Sequence, residues 1–430
     1  MTPPPSMTDM VKTLALALER GMIGSEDTAA VLYDLTFLRS RALDLKHTFP
    51  PETTHTFALK AIPLPSVLHF FRSWGFGVEA ASLPELYIAE RCGFSPAAIV
   101  FDSPVKTVGE LEHALALGCH INVDSFPELE RIDRLLRNRP PGCTIGLRIN
   151  PQVGEGTIAM TSVATQLSKF GVPLRDERDR LHEAFLRYPW LTGVHVHVGS
   201  QAYPVERMVQ AAREVVAFVR STNEALREAA PHRRIEVVDL GGGFPVSYMP
   251  EVAGPDMKQY VTRLFEETPD LFSGEFRVIT EFGRYLTANA GWAATRVEYV
   301  KHSSSGNVLL THLGADMFLR RCYNPAVWHL EFTLVDRSGR VKSGGRKRYM
   351  LAGPLCFAGD VLAREIELPE AESGDYVIIH DAGAYTLGMW SRYNSRQMPK
   401  IIGYEAETES FEVLKERETP EDVYRFWDPR

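Results

Sequence analysis

Paired cysteines are missing from this chain. Its five cysteines, Cys92, Cys119, Cys143, Cys322 and Cys356, are odd in number, scattered and never in CxxC spacing. That argues against a disulfide framework or a cysteine zinc site and fits a reducing compartment. Long apolar runs are missing too. Leu14–Leu18, the one apolar run near the start, is too short for a signal core or a membrane span. Asp9 and Glu19 come too early for an organellar transit peptide, so a cytoplasmic protein without a membrane partner is expected. Positive charge is not in excess. A net charge of −8 and a pI near 5.9 argue against a nucleic-acid partner. Small anionic ligands stay open, because they need only a local positive site. The chain also lacks internal repeats and long low-complexity stretches.

What is present is a soluble, globular composition, 44% hydrophobic and 24% charged, over 430 residues. That length suggests two large units. Short apolar runs that read as buried strands recur at Thr56–Ala61, Gly77–Ala80, Ala98–Phe101, Ile121–Val123, Thr144–Ile149, Gly193–Val198, Ile235–Leu240 and Arg277–Thr280. Helical patterns lie between most of them, at Pro84–Cys92, Val108–Leu117, Phe126–Leu136, Glu206–Leu226 and Met257–Phe265. This alternation predicts a (β/α)8 TIM barrel over 43–287, with a doubly wound sheet as the competing α/β answer. After Ala288 strand signals crowd together between Ser/Gly turn clusters. They predict an all-β unit, a C-terminal β-barrel over 288–430. The N-terminal segment, 1–42, is expected to lend it a strand at Ala30–Asp34.

In such barrels chemistry sits just after the strands. Lys60 follows the apolar run His55–Leu59, where burial would lower its pKa and free the amine for Schiff-base chemistry. A lysine that simply reaches solvent is the plainer alternative. His195 and His197 alternate along one strand and share a face. No third ligand of suitable spacing stands nearby, so no metal is expected, and a flat imidazole stacked on an aromatic cofactor is the better use. Gly199-Ser200 and Gly241-Gly242-Gly243, each after a strand, offer backbone amides and a hydroxyl to a phosphate, or else are turns that need positive φ. Glu281 ends the last barrel strand. A buried carboxylate needs a partner, either a protonated pyridine nitrogen or an arginine such as Arg284 or Arg148. Together these groups match the needs of pyridoxal phosphate.

The segments Phe57-Ala58-Leu59-Lys60-Ala61, His197-Val198-Gly199-Ser200-Gln201, Gly241-Gly242-Gly243-Phe244 and Glu281-x-Gly283-Arg284 occur in that order. Gly353-Pro354-Leu355-Cys356 with Asp360, Asp381-Ala382-Gly383-Ala384-Tyr385 and Tyr393-Asn394-Ser395-Arg396 follow. This series resembles the fold-type III, alanine-racemase-like pyridoxal phosphate decarboxylases, nearest diaminopimelate decarboxylase and also similar to ornithine decarboxylase. The resemblance spans about 30–405. It implies that Lys60 would hold the cofactor through its amine, His197 would stack on the ring and Glu281 would face the ring nitrogen. Ser200, Gly241, Gly242, Gly243, Gly283, Arg284 and Tyr385 would hold the phosphate. Glu79 takes the place of a family aspartate near the cofactor, and Arg148 would sit under the ring and order Glu281. Cys356 would reach in from the other subunit of a homodimer with shared sites and protonate the α-carbon after CO2 leaves.

The chain departs from that pattern at the substrate end. Phe357 stands where relatives carry an acidic residue for the substrate's distal amino group. Leaving that ammonium unpaired would cost about 1–3 kcal/mol or more. Asp360 or Asp316 could replace the lost partner, and Arg320 or Arg321 could bind a distal carboxylate. Ile62 and Phe282 also depart, changing pocket walls more than chemistry. The expected activity is decarboxylation of a small amino-acid substrate with altered specificity. A true diaminopimelate decarboxylase, an amino-acid racemase and a non-catalytic regulatory homologue are the alternatives.

Overall fold

The computed structural model describes residues 3–430 apart from 138, 202, 250 and 429. It divides into two compact units, one of Ala42–Val246 with Gly254–Tyr285, the other of Met1–Arg41, Ser247–Ala253 and Leu286–Arg430. The first strand, β1 (Ala29–Asp34), belongs to the second of these.

The first unit holds β2 (Thr54–Ala58), β3 (Gly77–Ala80), β4 (Ile99–Asp102), β5 (His120–Val123), β6 (Ile145–Asn150), β7 (Val172–Pro173), β8 (Leu191–His195), β9 (Val237–Asp239) and β10 (Arg277–Phe282). Apart from β7, a two-residue addition to β6, each strand pairs in parallel with its neighbours, and β10 pairs with β2. The result is the closed eight-stranded barrel that the alternation predicts. Nearly every strand position is buried, as both faces of a barrel strand are covered, and this is why the strands read as continuous apolar runs. The surrounding helices begin and end on local signals. The helix Val108–Leu117 starts with a capping box between Thr107 and Glu110 and stops at Gly118, whose φ is +82°. Two barrel helices carry no strong sequence signal, Pro65–Ser73 and Arg178–Arg187.

The second unit contains β1, β11 (Gly291–Ser303), β12 (Gly306–Thr311), β13 (Phe332–Val335), β14 (Arg346–Ala352), β15 (Val361–Pro369), β16 (Tyr376–Ile379), β17 (Lys400–Glu405) and β18 (Ser410–Lys415) in one nine-stranded sheet. β1 lies between β11 and β17. The long β11 pairs with β1 and β16 along its first part and with β12 along the rest. Leu14, Leu32, Trp292, Ile378 and Ile402 form the core of this unit. No helix among the described residues is long and apolar enough to cross a membrane.

Candidate active site

Charged groups gather where the barrel strands end. β2 stops at Ala58, and Lys60 sits in the 3-10 turn Leu59–Ala61. Its side chain is 38% exposed and its Nζ donates to both oxygens of Glu79, at 2.7 and 2.8 Å. Lys60 is therefore not the buried amine that the sequence suggests, and the Glu79 carboxylate, on β3, is what holds it. Glu79 is fully buried, and burial lifts its pKa to about 7 against the pull of Lys60.

Arg148, on β6, does not touch Glu281. Its guanidinium pairs with Asp102 at 3.1 Å, lies 3.9 Å from Asp124 and covers the Phe170 ring. Both the Arg148–Glu281 pair and an ordering contact from Arg148 to Glu281 are therefore corrected by the geometry. Asp102 is buried, and the attraction of Arg148 and His195 outweighs that burial, so its pKa falls.

Glu281 lies instead against His195, whose Nε2 is 3.4 Å from Oε2. Its Oε1 is buried with no hydrogen-bond partner, and neither ring nitrogen of His195 has one. Burial, with Glu79 and Asp102 nearby, pushes the Glu281 pKa far up. His197 completes a group with His195 and Glu281 whose ligand atoms all lie within 4.8 Å. The histidine pair thus has the third ligand-type neighbour that spacing alone did not reveal, since Glu281 comes from a strand far along the chain. Burial lowers the His197 pKa well below the usual range, so the ring is neutral. Its Nδ1 accepts from the Gly242 N–H at 3.1 Å, so the ring proton sits on Nε2.

The glycine turn is built by close approach. A Cβ on Gly242 would lie 2.0 Å from the Glu281 carbonyl oxygen, and one on Gly243, φ +88°, would lie 1.9 Å from that of Gly199. Two of its three amides are already engaged. The Gly241 N–H donates to Asp239 at 2.9 Å and the Gly242 N–H to His197. The Gly243 N–H has no acceptor among the described residues. Arg284, buried beside Gly283, donates to Ser200 Oγ at 3.3 and 3.4 Å. An anion end made of Arg284, Ser200 and one free amide, plus a buried carboxylate lacking a donor, fits the phosphate and ring nitrogen of pyridoxal phosphate.

The remaining residues singled out by the sequence lie in the sheet unit. Cys356 is exposed, and its N–H donates to Asn394 Oδ1 at 2.8 Å. Phe357 packs between Tyr323 and Tyr393, with ring centroids 6.1 and 5.9 Å apart. Asp360 is buried, and its two oxygens accept from the Ala315 and Leu355 amides, each at 2.6 Å. It ties two loops together and is not turned to a ligand. Asp316, also buried, accepts from the Gly314 amide and faces Arg396. Arg321 donates to the carbonyls of Leu362, Pro325 and Trp328. These contacts correct the assignment of Asp360 and Arg321 to substrate. Arg320 lies over the rings of Trp328 and Tyr385, at 4.8 and 5.2 Å. Tyr385 itself holds a positive φ of 58°. Sequence reading gave no role to Asp102, Asp239 or the aromatic pair Tyr323 and Tyr393. The first two end strands β4 and β9, and their position was the signal available.

Residues 35–288 match the family model described as "Pyridoxal-dependent decarboxylase, pyridoxal binding domain". The diaminopimelate decarboxylase of Pseudomonas aeruginosa is 32% identical over 374 residues, covering 86% of this chain and 85% of that protein. A Helicobacter pylori diaminopimelate decarboxylase is 30% identical over 411 residues, covering 93% and 95%. The crystal structure of a Helicobacter pylori diaminopimelate decarboxylase complexed with L-lysine superposes with a TM-score of 0.82 at 26% identity, covering 96% of this chain and 99% of that one. The barrel, the strand-end carboxylates and histidines, and these likenesses agree: the chain belongs to the pyridoxal-dependent decarboxylase family and is a pyridoxal phosphate-dependent amino-acid decarboxylase.

Proposed function

We propose that the substrate is an amino acid or amino-acid derivative whose side chain ends without a free ammonium group. The observation that carries this reading is Phe357, next to Cys356 and enclosed by Tyr323 and Tyr393. Phe357 offers no lone pair to an ammonium, and its two neighbours offer neutral phenol oxygens in place of a carboxylate. Of the two carboxylates that could have substituted, Asp360 accepts from two backbone amides, and Asp316, buried, accepts from the Gly314 amide and faces Arg396 across 3.6 Å. Arg320, over the rings of Trp328 and Tyr385, is the cation we assign to a carboxylate on the substrate.

Pyridoxal phosphate supplies the electron sink when bound. Lys60 holds it and Glu79 keeps the Lys60 amine oriented. Glu281 would accept a hydrogen bond from the protonated ring nitrogen, which would supply the donor that its Oε1 lacks and favour its charged form. His197, held by the Gly242 amide, would stack on the ring, and Arg284 with Ser200 and the Gly243 amide would hold the phosphate. Cys356, acting from the second subunit of a homodimer, carries the proton that the α-carbon takes up once CO2 has left. The exposure of its thiol in a single chain supports that role.

The second reading is diaminopimelate decarboxylation, favoured by the names of relatives that are 30% and 32% identical. Measuring CO2 release from a panel of amino acids separates the two. Turnover confined to substrates without a distal ammonium supports the first reading, and efficient turnover of meso-diaminopimelate overturns it. Chiral analysis of the recovered amino acid tests racemisation in the same assay.

A further inference from the structure

At the end of the barrel opposite the candidate site lies a cavity of about 350 Å³. It is lined at the strand starts by Gly118, His120, Gly142, Cys143, Thr144 and Arg277, among others. That volume suits a small molecule. Among the described residues of the lining, Arg277, the first residue of β10, is the only one with a fixed charge, and none is a carboxylate. Its Nη2 donates to Thr144 Oγ1 at 3.0 Å, while its Nε is buried with no acceptor among the described residues. A guanidinium that lines a cavity without a carboxylate in its lining suits an oxyanion.

The same arginine begins a line of hydrogen bonds through the barrel interior. Thr144 Oγ1 lies 2.6 Å from His120 Nδ1, and His120 Nε2 lies 2.9 Å from Asn122 Oδ1. Asn122 Nδ2 donates to Asp239 Oδ2 at 3.0 Å, and Asp239 Oδ1 accepts from the Gly241 N–H at 2.9 Å. Because Asn122 Oδ1 can only accept, His120 carries its proton on Nε2 and takes the Thr144 hydroxyl proton on Nδ1. The donors therefore run one way, from Arg277 to Asp239. That carboxylate is also gripped from the other side, by the glycine turn. An oxyanion on Arg277 competes with Thr144 for the guanidinium and so disturbs the first link of this line.

We infer that the cavity is an effector site for a small carboxylate, and that its occupancy is transmitted along Thr144, His120, Asn122 and Asp239 to the glycine turn that flanks the cofactor. The second half rests on the placement of the cofactor argued above, while the first half does not.

Succinate, titrated by calorimetry into the cofactor-loaded protein, is the probe. Because the substrate end also attracts carboxylates, Cys143→Phe, which fills the cavity, and Arg277→Gln are titrated beside the wild type. Binding at least about tenfold weaker in both variants is the expected result. Cys143 is only partly buried, so its variant carries the test if Arg277→Gln does not fold. No binding to the wild type, or equal binding to Cys143→Phe, overturns the site. The rate of cofactor loss after dilution reads the transmission. Succinate should change it about fivefold in the wild type and not in Thr144→Val. Binding with an unchanged rate of loss in the wild type overturns the transmission.

Discussion

The barrel's strand ends and the Cys356 loop treat charge in opposite ways. In the barrel, Glu79, Asp102, Asp239 and Glu281 are all buried together with His195 and Arg148, and several of their polar atoms lack a partner. Such an arrangement is costly unless a ligand completes it. Around Cys356, Asp360 is satisfied by two backbone amides while Asp316 keeps one oxygen without a hydrogen-bond partner, and the wall beside the thiol is made of Tyr323, Phe357 and Tyr393. One region keeps unmet polar demands that a charged cofactor answers. The other presents an aromatic wall beside the thiol. The two regions therefore offer a ligand different contacts, charged groups in one and rings in the other.

Variants that break the comparison should differ in what they lose. Lys60→Ala removes the cofactor's covalent anchor. Absorption spectra of the purified protein should lose the Schiff-base band, with activity falling to background. Cys356→Ala should keep that band and lose roughly 10²–10⁴-fold in kcat, as expected for a missing proton donor. A Cys356 variant that loses its colour instead would place the thiol in cofactor binding. Phe357→Glu restores an acceptor for an ammonium. It should raise kcat/KM for substrates with a distal amino group by about 10-fold or more, with the opposite change for apolar side chains.

The smallest effect concerns pH. Burial and the neighbouring Glu281 raise the Asp239 pKa from 3.8 to about 8 in the folded chain. The folded state then keeps a proton that the unfolded chain releases, so stability falls as pH rises between those two values. The cofactor-free protein should melt at a lower temperature at pH 8 than at pH 7, and Asp239→Asn should flatten that slope. An unchanged slope would show that Asp239 is already ionised at pH 7.

Much of this was legible in the sequence, for physical reasons. Barrel strands covered on both faces are short and mostly apolar, so all eight stand out, and β3 matches its expected range residue for residue. The capped helices Val108–Leu117 and Phe126–Leu136 were equally plain. What escaped was half-exposed. β15 reads Val361-Leu362-Ala363-Arg364-Glu365-Ile366, with charged residues facing water, and carries no clean alternation. At the site, residue types predicted who gathers at the strand ends but not who pairs with whom. Lys60 with Glu79 and Arg148 with Asp102 are partners across strands, and which of them meet depends on barrel register. The same limit hid the internal use of the Gly241 and Gly242 amides, which leaves Gly243 as the turn's available donor. It also hid the backbone duties of Arg321 and Asp360.

The most direct test of a family-like cofactor end joined to an altered substrate end is kcat/KM for CO2 release. It should be measured with meso-diaminopimelate and with amino acids lacking a distal ammonium, in wild type and in Phe357→Glu. Preference for the latter substrates in wild type, reversed in Phe357→Glu, is the predicted result. Efficient wild-type turnover of meso-diaminopimelate that Phe357→Glu does not improve would contradict it.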